Sequence, residues 1–166
     1  VSGSDLEITS AGVLTFASAP DYETKSSYTA TVTATDGTNP TTQDITISVT
    51  NLNDVAPTIS SATSFTIEEN ELAIGTLTVV DPEGGSFTYT VAGTDGSLIN
   101  ISNSGVLTFK TAPDFETKTS YSFTVTVSDG VNSSTKEFSI SITDLPELPT
   151  SGYRVPTSID VRETKE

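Results

Sequence analysis

Acidic residues recur in pairs along this sequence, and paired carboxylates are the side chains with the clearest capacity for chemistry. The pattern Asp-x-Glu occurs at residues 21–23, 81–83 and 114–116, among other places, and the copy at 81–83 lies among Pro and Gly residues that are typical of a turn. An Asp-x-Glu pair in a turn can direct two carboxylates at one point. Ca²⁺ binds about six to eight oxygens from carboxylates, amides and backbone carbonyls. The pairs are therefore candidate ligands for a hard cation.

Other kinds of chemistry are limited by the residue types that the sequence lacks. It contains no Cys, His, Met or Trp, so it offers no thiol nucleophile, disulfide, zinc–thiolate site or imidazole. Pairs of Asp and Glu can hydrolyse glycosides, but that reaction needs a cleft with a defined carboxylate spacing, and no aromatic platform for a sugar is evident. The acidic pairs also recur with a sequence repeat, so we predict that the protein is not an enzyme.

The charge balance excludes two classes of partner. With 22 acidic and 7 basic residues the net charge is −15, which opposes binding to nucleic acids and unassisted docking on anionic membranes. No apolar stretch reaches the length of about 20 residues that a membrane-spanning helix needs. The sequence begins without Met or a signal peptide, so we expect an internal or mature fragment of a longer protein.

An internal repeat organises the sequence. The segment 12–16 recurs as residues 105–109, an offset of 93, and without a gap 23 of the 40 residues in 11–50 are identical in 104–143. A third copy begins at residues 158–163, which resemble residues 64–69. We therefore predict three units: residues 1–57 as the second half of a repeat with its linker, 58–145 as a complete repeat, and 146–166 as a linker with the first strand of another.

Alternating apolar residues predict strands throughout the complete repeat. Inward-facing positions are expected at Tyr121, Phe123, Val125 and Val127, with a second row at Phe138, Ile140 and Ile142. The predicted strands are 64–69, 74–80, 86–92, 98–101, 106–110, 120–128 and 135–143. About seven short strands in about 90 residues are typical of an immunoglobulin-like Greek-key β-sandwich. The fold class expected is all-β, with such sandwiches in tandem.

The half repeat would lack its first strands and expose half of its core. Either the chain continues upstream, which is the interpretation we favour, or another chain completes the module by strand donation. In the second case residues 157–165 would be the obvious donor, although they supply one of the missing strands only.

On the predicted strand map the acids of the complete repeat gather at its two ends. The group at the start, beside the linker at residues 51–54, consists of Asp81, Glu83 and Asp129. The group at the other end consists of Glu69, Asp114, Glu116 and Asp144.

Five elements in order resemble the cadherin repeat. Residues 65–70, followed by 74–83, resemble the opening of that repeat, and the Asp-x-Glu pairs at 21–23 and 114–116 look like its mid-repeat pair. Val32-Thr33-Ala34-Thr35-Asp36 and residues 125–129 resemble its Val-x-Ala-x-Asp element. The segment 51–57, Asn-Leu-Asn-Asp-Val-Ala-Pro, looks like the linker that usually reads Asp-x-Asn-Asp-Asn-x-Pro. The resemblance covers nearly the whole chain, and the Thr- and Ser-rich style looks like repeats of large bacterial surface proteins.

In that family Ca²⁺ binds between successive repeats and stiffens the joint. The resemblance implies a first metal site formed by Asp21, Glu23, Asn51, Asn53, Asp54, Asp81, Glu83 and Asp129. Three positions depart from the family pattern: Asn51 replaces an acid, Glu83 stands where Asp is usual, and Val55 replaces Asn. A second site would use Glu69, Asp114, Glu116 and Asp144, next to a linker that lacks the Asn and contains Pro146.

These features predict a calcium-stiffened spacer or adhesive stalk that is extracellular or at a cell surface. Its expected partners are neighbouring repeats of the same chain, with a homophilic protein contact or a surface glycan as open alternatives for adhesion. Two other functions stay open: a sandwich module that recognises a carbohydrate or protein through its loops, and a fibre or decoration subunit completed by strand exchange.

Overall fold

The computed structural model describes residues 5–146, and these residues fold into β-strands with short connections. Two antiparallel hairpins come first and consist of β1 (Leu6–Ile8), β2 (Leu14–Phe16), β3 (Ser27–Thr35) and β4 (Pro40–Ser48). The later strands are β5 (Thr58–Ile59), β6 (Ser64–Glu68), β7 (Ala73–Thr76), β8 (Val79–Val80), β9 (Thr88–Ala92), β10 (Ile99–Ile101), β11 (Val106–Phe109), β12 (Ser120–Ser128) and β13 (Ser133–Thr143). A turn of 3₁₀ helix, Gly96–Leu98, precedes β10. The predicted all-β class is confirmed.

The strands between residues 58 and 143 form a sandwich. One sheet has four strands in the order β6-β13-β12-β9, and the other has three in the order β10-β11-β7. The central strand β12 is antiparallel to both β9 and β13, whereas β6 joins β13 in parallel. The return of the last strand to lie beside the first closes the immunoglobulin-like topology.

Side-chain alternation along β12 and β13 forms the core. Residues 121, 123, 125 and 127 are buried as predicted, and so are residues 138, 140 and 142, because alternate residues of a strand share one face. Leu107 and Phe109 of the opposing sheet join the same cluster. The Phe123 ring stacks on Phe138 with centroids 5.5 Å apart. Complete burial of such a side chain contributes about 1.5–3 kcal/mol.

The second predicted strand of the complete repeat is divided, which the apolar pattern did not predict, whereas the first, at residues 64–69, is the single strand β6. The predicted strand 74–80 is two strands, because β7 pairs with β11 whereas β8 pairs with β5. Between them the N–H of Leu77 donates to the carbonyl of Gly105 at 2.9 Å. The short strand β5 also precedes β6 and lies against a different partner. The chain therefore passes from one pairing to another within one predicted strand.

Gly105 shows why the hairpin before β11 needs a glycine. Its φ is +77°, in the left-handed region that side chains disfavour, and an added Cβ would lie 3.4 Å from both the Leu77 carbonyl oxygen and the Tyr89 hydroxyl. Its counterpart one repeat earlier, Gly12, has a φ of +82°. The repeated motif therefore starts with Gly because the backbone at this position has a positive φ in both repeats.

The half repeat has the same hairpin but a poorer core. Tyr28 pairs with Ile47 as Tyr121 pairs with Ile140, so the register is preserved at the 93-residue offset. Among residues 5–50, all of them described, the buried hydrophobic side chains are Leu6 and Ala30. The predicted strand at 158–163 and the linker beyond residue 146 lie outside the described residues. Residues 5–146 contain no helix with the length and hydrophobicity that a membrane crossing requires.

Asp95 forms a buried ion pair beside the core. Its Oδ1 lies 2.9 Å from the Lys118 ammonium, and its Oδ2 accepts a 2.8 Å hydrogen bond from the N–H of Ser122. Burial opposes its ionisation, but the Ser122 hydrogen bond and the Lys118 charge outweigh burial and hold the pKa of Asp95 below its ordinary value of 3.8.

Acid is expected to weaken the fold through this pair. Because the pKa of Asp95 is lower in the folded chain, its contribution to stability is complete above pH 3.8 and is lost as the pH falls towards the folded value. We expect Asp95→Asn to destabilise the protein at pH 7 and to flatten the loss of its urea midpoint between pH 5 and pH 3. Glu137→Gln, an exposed control on β13, should keep the wild-type slope. Parallel slopes for Asp95→Asn and wild type would contradict the prediction.

Candidate joint between repeats

A cluster of carboxylates joins the half repeat to the complete repeat. Glu23 of the first, Asp54 of the linker and Glu83 of the second each place a carboxylate oxygen within 4.8 Å of the other two. Glu23 follows β2, and Glu83 lies in the turn after β8. We call these three residues the linker cluster. Their negative charges converge from sites that are 60 residues apart in sequence, so the cluster exists only when the two repeats and the linker are in place.

The turn at residues 81–84 holds Glu83 in position. Asp81 Oδ1 accepts hydrogen bonds from the N–H groups of Glu83 at 2.9 Å and Gly84 at 3.1 Å, an Asx turn that needs an acid or amide at its first position. Burial, reinforced by the nearby Glu23 and Asp81 carboxylates, raises the pKa of Glu83 above its ordinary range. The turn therefore places a carboxylate where it is costly to keep ionised.

Several oxygens in this region are buried without a hydrogen-bond partner. They are Oδ2 of Asp81, Oδ2 of Asp129 and both carboxylate oxygens of Glu83. Buried polar atoms are nearly always paired, so each unpaired oxygen needs an explanation. The set is entirely acceptors, and acceptor oxygens without donors are the ligands that a hard cation takes. The residues present fit a calcium ion.

Asp129 is fixed by its own turn and lies close to the linker. Its Oδ1 accepts from the N–H groups of Asn132 at 2.6 Å and Val131 at 2.7 Å. Although burial opposes ionisation, these donors, together with the amides of Asn53 and Asn132, hold the pKa of Asp129 below its ordinary value. Asp129 is therefore a carboxylate, with its second oxygen free of protein donors.

Two residues of the expected first set stand apart from the linker cluster. Asp21 uses both oxygens inside its own turn, where Oδ1 accepts from the N–H of Glu23 at 3.0 Å and Oδ2 accepts from the Thr24 hydroxyl at 2.9 Å. The Thr24 hydroxyl and N–H hold the pKa of Asp21 below its ordinary value. Asn51 is exposed, and none of the hydrogen bonds within residues 5–146 involves it.

A second cluster forms at the opposite end of the complete repeat. Glu69, Asp114 and Glu116 each place a carboxylate oxygen within 4.8 Å of the other two. Asp144, expected in the same set, is exposed and is not one of the three. Asp114 builds the same turn as Asp21, because its Oδ2 accepts from the Thr117 hydroxyl at 2.9 Å. We call Glu69, Asp114 and Glu116 the distal cluster.

Glu69 is the buried member of the distal cluster, with 2% of its surface exposed. Its Oε1 accepts from the N–H of Leu145 at 2.9 Å, and its Oε2 accepts from the N–H of Phe115 at 3.2 Å. The chain turns away directly afterwards at Asn70, whose φ of +67° lies in the left-handed region. The Glu69 carboxylate thus connects the turn at residues 114–117 to the segment that follows β13.

Asn132 has a larger role at the joint than its sequence context indicated. Its side-chain amide donates to the carbonyl of Asn53 at 3.1 Å and to the Asn53 side-chain oxygen at 3.2 Å. Asn132 is not among the site residues predicted from the sequence. The available signal was its recurrence, since Asn39 follows Asp36 by the same three positions in the earlier repeat.

Known proteins with similar sequences and structures include protocadherins and a bacterial chitinase. The mouse protein Protocadherin Fat 4 is 38% identical over 127 residues, which is 70% of this chain and 2% of that protein. Chitinase A of Pseudoalteromonas piscicida is 31% identical over 133 residues, or 80% of this chain and 16% of the enzyme. The solved structure of Protocadherin gammaB7 EC3-6 in a cis-dimer superposes with a TM-score of 0.73 at 24% identity, covering 87% of this chain and 40% of that one.

The fold and its sequence repeat define a cadherin-like, immunoglobulin-fold tandem repeat of the kind found in adhesion and surface proteins. Residues 53–143 match the family described as Bacterial Ig domain, and the chain belongs to that family. The predicted resemblance to cadherin-like repeats is confirmed. The chain spans only a small part of the curated relatives that it matches, at 2% and 16% of their lengths.

Proposed function

We propose that this chain is a calcium-stiffened, non-enzymatic spacer segment of an extracellular or cell-surface adhesion protein. The observation that carries the proposal is the linker cluster, where three carboxylates from two repeats and their linker converge within 4.8 Å. In this proposal residues 1–57 are the second half of one repeat with its linker, 58–145 are a complete repeat, and 146–166 start the next.

The first joint would hold Ca²⁺ with oxygens that already lie together or lack donors. Glu23, Asp54 and Glu83 supply the convergent carboxylates, and Asp81 and Asp129 each offer a buried oxygen without a partner. Asn53 lies beside Asp129, and its side-chain oxygen accepts a hydrogen bond from the Asn132 amide. Bound calcium would neutralise the repulsion among these groups, and the protein's own contribution is to fix them on Asx turns. Asp21 supports the site by shaping the turn that carries Glu23.

The distal cluster would serve the joint to the following repeat in the same way. Its buried carboxylate, Glu69, already accepts two backbone N–H donors, and Asp114 and Glu116 lie beside it. A cation there would be completed by residues of the next repeat. The arrangement supports a spacer role, because repeat proteins take their shape from each module and its contact with its neighbour.

The match to chitinase A does not argue for catalysis. It covers 16% of that enzyme's length, and the same fold matches protocadherin structures. Function resides in a site and not in a fold, and the acidic groups here lie at the ends of repeats, where neighbours meet. We therefore favour a spacer over an enzyme. The partners of such a spacer would be adjacent repeats and a protein or glycan surface.

Stiffening can be measured directly because the chain contains no Cys. Spin labels introduced by Thr33→Cys on β3 and Ser141→Cys on β13 occupy exposed positions on either side of the joint. We expect pulsed electron paramagnetic resonance to give a broad distance distribution in chelator and a narrow one in millimolar Ca²⁺. The physical reason is that like charges separate the joint until a cation bridges them.

The matched controls are two charge-neutral variants. Glu83→Gln should keep the distribution broad in Ca²⁺, whereas Glu137→Gln, which removes the same charge from an exposed site on β13, should respond like wild type. A distribution that is unchanged between chelator and Ca²⁺ in the wild-type background would refute the stiffening role.

A further inference from the structure

A row of three polar side chains fastens the linker to the complete repeat. Each of the three donates to a backbone carbonyl of the linker or of the segment that follows it. Asn132 donates to Asn53, Ser134 to Pro57 and Lys136 to Ile59. The first of these is 3.1 Å long and the last is 2.8 Å. We call Asn132, Ser134 and Lys136 the linker clamp.

The clamp continues the buried row of β13. Alternate residues of a strand share a face, and residues 138, 140 and 142 of that row are buried in the core. Towards the start of β13 the same row changes from apolar residues to hydrogen-bond donors. At that point the sandwich is covered by the linker segment, where Pro57 and Ile59 are buried. Ser134 and Lys136 therefore carry donors where β13 faces backbone carbonyls of the linker segment.

Residues 54–56 make no hydrogen bond to any residue that the structure describes, but the anchors on both sides of them, Asn53 and Pro57, lie on the complete repeat. Residues 50–52, in contrast, lie between anchors on different repeats. All three are exposed, and Leu52 has 67% of its surface accessible. Val49 is still fixed, because its N–H donates to the carbonyl of Ser26 at 2.9 Å. Between Val49 and Asn53, no residue takes part in any hydrogen bond or ion pair that the described part of the chain contains.

From this contrast we propose that the linker clamp, together with the pairing of β5 with β8, holds residues 53–61 on the complete repeat without any cation, and that residues 50–52 are the hinge. Asn53 then stays beside Asp129 as a preassembled half of the metal site, and the hinge carries the other repeat towards it. The positions Asn39, Thr41 and Gln43, one repeat earlier, also carry donors, so the device recurs in the sequence. Only its effect on calcium affinity rests on the proposed function.

Backbone order parameters of the ¹⁵N-labelled 166-residue chain in chelator test the hinge. We expect rigid values of about 0.85 at residues 54–56 and values below about 0.6 at residues 50–52. Asn132→Ala removes the donor that binds Asn53. It should lower the order parameters of residues 54–56 into the flexible range. Lys136→Met, which keeps the length of the side chain, should leave the order parameters of residues 58–60 unchanged, because β5 still pairs with β8 and the N–H of Ser60 still donates to the carbonyl of Thr78.

Asn39→Ala is the matched control, because Asn39 occupies the same turn, with its N–H on Asp36 Oδ1 at 2.8 Å, but makes no hydrogen bond to residues 50–61. Asn39→Ala should leave the order parameters of residues 50–61 unchanged. Flexibility at residues 54–56 in the wild-type chain, or rigidity there in Asn132→Ala, would overturn the proposal.

A calcium titration supplies the second readout. Asn132→Ala should weaken Ca²⁺ binding about three- to tenfold, the effect of one lost hydrogen bond that positions a ligand. Unchanged affinity would show that Asn132 does not position Asn53. Absence of calcium binding in the wild-type chain would instead count against the proposed function, while the order parameters would still decide where the hinge lies.

Discussion

Calcium is expected to raise the melting temperature of this chain by about 5–10 °C when present at about a hundredfold excess over its dissociation constant. A ligand bound only by the native state stabilises it by about 2.7 kcal/mol at that excess. Each kcal/mol shifts the melting temperature of a protein of this size by about 2–4 °C. Extracellular calcium modules have dissociation constants of about 0.1–1 mM, so a hundredfold excess is about 10–100 mM, and above the dissociation constant the melting temperature should rise with the logarithm of the calcium concentration. Differential scanning calorimetry with calcium and then chelator measures it.

Variants of the linker cluster separate a specific site from a general charge effect. Asp81→Ala and Glu83→Gln should each abolish most of the calcium response, because one removes the Asx turn and the other removes the convergent carboxylate. In chelator, Glu83→Gln should melt no lower than wild type, since the Glu83 carboxylate is buried near Glu23 and Asp81 and its pKa is raised. Equal calcium responses in wild type and both variants would exclude the linker cluster as the site.

Phe123→Ala is expected to destabilise the complete repeat by about 3–5 kcal/mol, the cost of truncating a buried Phe. The ring is 2% exposed and stacks on Phe138, so its removal leaves a cavity between the two sheets. Part of the contact network would be lost as well, because Phe138 also stacks on Phe65 at 6.4 Å. Urea unfolding followed by tyrosine fluorescence and circular dichroism would measure the loss.

Two comparisons sharpen this experiment. Val131→Ala, at a side chain with 72% exposure, should change stability by less than about 0.5 kcal/mol. The half repeat carries Ala30 at the position equivalent to Phe123, so the same register there already lacks the large side chain. A loss below about 1 kcal/mol in Phe123→Ala would mean that the sheets collapse around the site, and that the core is less specific than the stacking indicates.

The strand pattern and the core could be predicted because both depend on local rules. Side chains alternate along a strand, so the apolar residues from Tyr121 to Val127 had to share a face, and the 93-residue offset placed the same hairpin twice. The divided strand at residues 73–80 was missed for the same reason. The segment contains no Pro or charged residue that would mark a break, and only the positions of β5 and β11 decide which partner each part meets.

The sequence by itself determined that this protein is an all-β tandem repeat, with acids placed in turns and no Cys or His for other chemistry. Tertiary structure alone decided which acids meet. Glu23 and Glu83 converge although 60 residues separate them, and Asn132 reaches the linker. The physical reason is range: periodicity and turn chemistry act over a few residues, whereas a joint depends on how whole sheets pack and direct their loops.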